Sequence, residues 1–132
     1  MRPRASPLGV LACAVLMGAS AVAQTPSVSS VERGRALLAN RTESGCVLCH
    51  VVPGLPAGGQ LGPPLTGLGR LGGAEELRQR IADARRFNPQ TIMPAYLSTD
   101  GLQDVAAAYR GQSVLTAQGL DDIVAYLMVM AR

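Results

Sequence analysis

Apolar side chains recur at helical spacing in three blocks along this chain, and a long glycine- and proline-rich stretch separates the first block from the other two. Val31, Gly34, Leu37 and Leu38 fall near one helical face. Ahead of them, Ser29-Ser30-Val31-Glu32 has the form of a capping box, in which each side chain satisfies a free backbone donor. A helix is predicted to start there and to break across residues 40–45. Leu77, Ile81 and Ala84 stand at i, i+4 and i+7, which predicts a helix over residues 74–87 with Asn88-Pro89 as its stop. Glu75 and Glu76 suit the positive end of that helix. Leu120, Ile123, Val124 and Leu127 form the apolar face of a strong helix over residues 120–130, with Asp121 and Asp122 in its first turn. A weaker helix is predicted over residues 102–109. Gly34, which lacks a side chain, offers Tyr126 or Leu127 of the last helix a place to pack closely.

Two stretches resist regular structure. Residues 51–73 hold eight glycines and four prolines, a density that excludes long helices or strands and predicts a loop wrapped around something. Asn88-Pro89-Gln90-Thr91-Ile92-Met93-Pro94 cannot be helical, because proline removes a backbone donor and restricts the residue before it. Met93 is therefore expected on an extended strap.

The N-terminus changes the arithmetic of charge. Arg2 and Arg4 precede an apolar run over residues 8–17, and Ala21-Val22-Ala23 follows, so residues 1–23 read as a secretory signal cleaved after Ala23. A retained membrane anchor is the weaker reading, since the run is shorter than the roughly 20 residues a span needs. Lipid modification at Cys13 is a further alternative. Residues 24–132 form one domain with ten arginines and nine acids, so the basic pI near 9.1 of the whole chain belongs largely to the leader. A nucleic-acid partner, which wants a basic stripe, is not indicated. The chain has no lysine, so any cationic docking surface must be built from guanidinium groups. Phe87, Tyr96, Tyr109 and Tyr126 are the only aromatics, and a domain this small and thinly cored gains from burying a cofactor.

Beyond the leader only two cysteines remain, in Cys46-Val47-Leu48-Cys49-His50. This spacing is the attachment signature of a c-type haem: two intervening residues let both thiols reach the vinyl groups on one porphyrin edge while the adjacent imidazole turns toward the iron. A structural zinc site wants four Cys or His ligands, and two cysteines with one histidine fall short. A thioredoxin-like dithiol shares the spacing but leaves His50 unexplained. His50 is the sole histidine, so a bis-histidine haem within this chain is excluded. The other axial ligand must be methionine, a weaker donor such as tyrosine, solvent, or a group from another chain. Met128 and Met130 lie on the last helix, where methionine is usually core filling. Met93, fixed between Pro89 and Pro94, is the favoured ligand. Gly62-Pro63-Pro64-Leu65 offers a backbone carbonyl that would accept the Nδ1 hydrogen of His50, as ligating histidines usually require.

The order of these parts resembles the cytochrome c fold over nearly all of residues 24–132. Several stretches are similar to one family within it, the SoxX cytochrome subunit of the SoxAX complex of thiosulfate oxidation: Gly45 to His50, Asn88-Pro89-Gln90-Thr91-Ile92-Met93-Pro94-Ala95-Tyr96, Val105-Ala106-Ala107-Ala108-Tyr109-Arg110-Gly111 with Leu115-Thr116-Ala117, and Val124-Ala125-Tyr126-Leu127. Gln112 departs from that pattern, where a lysine is expected. The resemblance implies an all-α cytochrome c fold of three to five helices around one covalent haem c, with thioethers at Cys46 and Cys49 and axial ligation by His50 and Met93. It further implies a periplasmic electron-accepting subunit that pairs with the SoxA cytochrome. That complex joins thiosulfate oxidatively to a cysteine of the SoxYZ carrier, with the reactive thiol in a partner, and passes electrons to a downstream acceptor. A free-standing periplasmic electron shuttle is the alternative.

Overall fold

The computed structural model describes residues 27–130; the expected signal over residues 1–23 lies outside them. The described residues form four α-helices and three 3-10 turns, with no strand among them. None of these helices is long and apolar enough to cross a membrane.

Helix α1 spans Val28–Ala39. Its N-cap is Ser27, two residues before the serine predicted, and Ser27 Oγ accepts the Ser30 amide at 3.2 Å while Ser30 Oγ donates to the Ser27 carbonyl at 2.7 Å. Gly34 and Leu38 are buried on one face, with Val31 and Leu37 packed beside them. Asn40 ends the helix, and its Oδ1 accepts the Thr42 and Glu43 amides, which turns the chain toward the short helix α2, Cys46–Cys49.

Residues 51–73 contain only the 3-10 turn Leu68–Leu71. Helix α3 covers Ala74–Ala82, burying Leu77 and Ile81. The predicted continuation to Phe87 is broken at Asp83, whose extended backbone and side-chain bond to the Arg85 amide restart the chain as the 3-10 turn Ala84–Arg86. A side-chain acceptor competing for a backbone amide is a known interrupter of helices. The helix expected over residues 102–109 is absent except for the 3-10 turn Ala107–Tyr109. Gly101 and Asp104 adopt positive φ there (66° and 55°), and no residue from 101 to 114 is buried, so no apolar face repays the ordering of a helix.

Helix α4, Ala117–Met130, begins three residues before its predicted start because Thr116 Oγ1 accepts the Gly119 amide at 2.9 Å. Asp121 and Asp122 thus lie in its second turn. The principal packing is α1 on α4, with α3 also against α4. A Cβ at Gly34 would come within 1.9 Å of the Asp122 carbonyl oxygen. The close approach is therefore made to Asp122, one turn before the Tyr126 and Leu127 expected. Leu38, Leu120, Ile123, Leu127 and Val52 are the largest fully buried side chains.

Candidate functional site

Cys46, Cys49 and His50 occupy a single helical turn and its exit. Gly45, at φ 65°, lets the chain turn into α2, and the His50 amide closes the turn on the Cys46 carbonyl at 2.9 Å. Cys46 is buried, whereas Cys49 and His50 are half-buried.

The loop that follows folds back over this turn. Gly59, Gly62 and Leu65 donate their amides to the carbonyls of Val47, Cys49 and Val51, at 2.8–2.9 Å. Such proximity leaves no room for side chains: a Cβ at Gly59 would meet the Leu48 carbonyl oxygen at 1.9 Å, and one at Gly58 the His50 carbonyl at 2.3 Å. The glycine density of the loop is thus a steric requirement. Its last turn carries the Pro63 carbonyl to 2.7 Å from Nδ1 of His50. A carbonyl only accepts, so Nδ1 carries the hydrogen, and the tautomer this selects is the one with its lone pair on Nε2. Gly62 lies against the same ring, where an added Cβ would be 2.4 Å from Cε1.

Met93 lies on a non-helical strap, half-buried against the core. The Asn88 carbonyl accepts the Thr91 amide, and Thr91 Oγ1 accepts the Met93 amide, each at 3.1 Å. Met128 is half-buried on α4 and Met130 is 40% exposed at its end. The strap is joined to the cysteine turn through Tyr96, whose hydroxyl donates to the Ser44 carbonyl at 2.8 Å and lies 3.9 Å from Cys46 Sγ. Burial pushes the Tyr96 phenol well above its usual range, and a charge on Cys46 would add to the shift. Sequence reasoning missed this residue, although a tyrosine in so aromatic-poor a chain was a signal, since a buried hydroxyl must find a partner. Farther along, Arg85 bonds Asp83, Ser98 Oγ and the Asp100 carbonyl, fastening the strap's exit to the end of α3.

Large apolar side chains around these segments face solvent, among them Leu61 at 70% and Ile92 at 76% exposure. One lies on the loop and the other on the strap. Among the described residues, no three His, Cys, Asp or Glu side chains cluster to hold a metal ion.

No family model and no curated protein matches the chain. Among solved structures it is similar to SoxXA from P. pantotrophus, with 28% identity and a TM-score of 0.66 over 76% of this chain and 81% of that one. It also shares the fold of the c-type cytochrome SorU from Sinorhizobium meliloti, at 22% identity and a TM-score of 0.51 over 78% of this chain and 92% of that one. The chain therefore has the fold of the c-type cytochromes, and it is similar to SoxXA among the solved structures of that fold.

Proposed function

We propose that residues 24–132 form a periplasmic monohaem cytochrome c that serves as the electron-accepting subunit of a SoxAX-type complex. The observation that carries the reading is the pair of thiols followed by a histidine whose Nδ1 is held at 2.7 Å by the Pro63 carbonyl. The residues present fit a covalently held haem in three respects. Two thiols share one turn, a lone imidazole keeps Nε2 free, and glycines 58, 59 and 62 fold the loop tightly over that turn. The exposed Leu61 and Ile92 are apolar surface of the kind a porphyrin would cover. Cys46 and Cys49 would hold the group as thioethers, and His50 and Met93 would be its axial ligands. When bound, that group supplies a one-electron redox couple.

The chain's own residues set the division of labour. With Cys46 and Cys49 consumed as thioethers and Cys13 removed with the signal, the mature protein has no thiol left to hold sulfur. Joining thiosulfate to a cysteine needs a thiolate acceptor, which must come from a partner. The likeness to SoxXA supports a partner of the SoxA type, and a SoxYZ-type carrier would bring the acceptor cysteine. His50, oriented by the Pro63 carbonyl, and Met93, carried on the strap, would each offer a donor to that group.

The purified subunit is expected to carry one covalent haem by mass, to give no signal in thiol titration, and to stay oxidised when mixed with thiosulfate alone. It should become reduced when the partner cytochrome and a carrier with its cysteine intact are added. Rapid reduction by thiosulfate alone, or a free thiol in the mature protein, would overturn this assignment.

A further inference from the structure

Tyr96 is 5% exposed, and bonds to three other segments converge on it and on its neighbour Leu97. Its hydroxyl donates to the Ser44 carbonyl at 2.8 Å, just before α2. Ser44 is itself fixed, since its Oγ donates to the Leu37 carbonyl of α1 at 2.6 Å. The Tyr96 carbonyl accepts the Leu115 amide at 3.0 Å, on the approach to α4, and the next amide, Leu97, donates to the Ala82 carbonyl at the end of α3 at 3.0 Å. The strap ahead of Tyr96 and Ala95 is held differently. Asn88, Pro89, Gln90, Ile92 and Pro94 are exposed, and the bonds at Thr91 and Met93 reach no farther than Asn88 and Thr91.

We propose that Tyr96 is the fixed anchor of the methionine strap, a positioning residue whose hydroxyl sets where Met93 stands relative to the turn that bears Cys46. The inference rests on the reading of Met93 as an axial ligand. The Ser44 bond is the one that survives haem attachment: a thioether sulfur has no hydrogen to donate, so the contact with Cys46 changes, while the Ser44 carbonyl accepts as before. The anchor acts on the methionine side alone. His50 is oriented by Pro63, on a separate segment, and has no bond to Tyr96.

The test uses the haem-loaded protein and its Tyr96→Phe and Met93→Ala variants. In Tyr96→Phe, loss of one buried hydrogen bond should speed displacement of Met93 by added imidazole about five-fold. Haem stoichiometry and the main absorption band should stay as in wild type. If Met93→Ala abolishes the weak red absorption of a methionine-bound ferric haem but Tyr96→Phe leaves the displacement rate unchanged, the ligand reading stands and the anchor is overturned. If the red band survives in Met93→Ala, the ligand reading fails and takes the anchor with it. Hydrogen exchange on wild type gives an answer even where Tyr96→Phe does not accumulate. With imidazole bound, the Leu97 and Leu115 amides should keep their protection while those of Thr91 and Met93 lose it. Loss at all four positions means that the strap moves as one body, which overturns the proposal.

Discussion

A Cβ at Gly62 would lie 2.4 Å from Cε1 and 2.7 Å from Nδ1 of His50, so a hydrogen in place of a methyl group decides where the imidazole sits. The ring cannot retreat without lengthening its bond to Pro63. Gly62→Ala should therefore tilt the imidazole and weaken the histidine side of the site, by about ten-fold or more in ligand affinity, as loss of the bond that orients a ligating histidine typically does. Competition of added imidazole for the histidine side in the haem-loaded variant measures the effect; unchanged competition would show that the loop yields more easily than its ladder of bonds suggests. Much of this was legible in the sequence. The spacing from Cys46 to His50 names its own chemistry, and the glycines and prolines that follow announce a loop with a carbonyl to offer. Tyr96 was not legible as a tether, because its partner is a backbone carbonyl 52 residues away, and no local pattern records such a bond.

At the scale of elements, α1 and α4 meet over Gly34, where an alanine methyl would be 1.9 Å from the Asp122 carbonyl oxygen and 2.5 Å from its carbon. Backbone cannot rotate away as a side chain can. Gly34→Ala should force the helices apart at a cost of about 2–3 kcal/mol, a fall of about 10 °C or more in midpoint temperature for a domain of this size. Thermal unfolding followed by circular dichroism checks it, and a shift under a few degrees would mean that the helices slide freely. The helix faces were readable because Leu38, Leu77, Ile81 and Ile123 repeat at helical spacing and are all buried. The ends were harder to place. Ser27, Ser29 and Ser30 are all competent caps, and only the docked position of α1 selects Ser27. Asp83 interrupts α3 through a bond to Arg85 that a helical pattern does not disclose. The alanines of residues 105–109 carry helix propensity, but too little burial follows to make it count.

At the scale of the whole molecule, Asp122 is the buried charged side chain among the described residues; it is 3% exposed and pairs with Arg33, itself 52% exposed. The hydrogen bond from Arg33 holds this carboxyl below the usual carboxylate range, and Gln118 assists. Asp83 is lowered in the same way by Arg85. A depressed folded value means that the stabilisation is complete above the unfolded pKa of about 4 and is lost as pH falls below it. Acid unfolding should therefore be steeper in wild type than in Asp122→Asn below about pH 4, with the remaining slope owed partly to Asp83. Equal slopes, read from helical signal against pH, would remove Asp122 from the acid response.

The bond from Tyr126 to the Pro53 carbonyl, at 2.7 Å, joins the last helix to the segment just behind His50. Its consequence is one of timing. Chains are made from the N-terminus, so Cys46 and Cys49 exist well before Ala117–Met130 does. Until α4 is complete, α1 lacks its principal packing partner and the Pro53 carbonyl lacks its bond from Tyr126. The turn that bears the two thiols is therefore made before the packing of α1 on α4 can form. In this sense α4 is the last element to join a fold whose cysteine turn is already written.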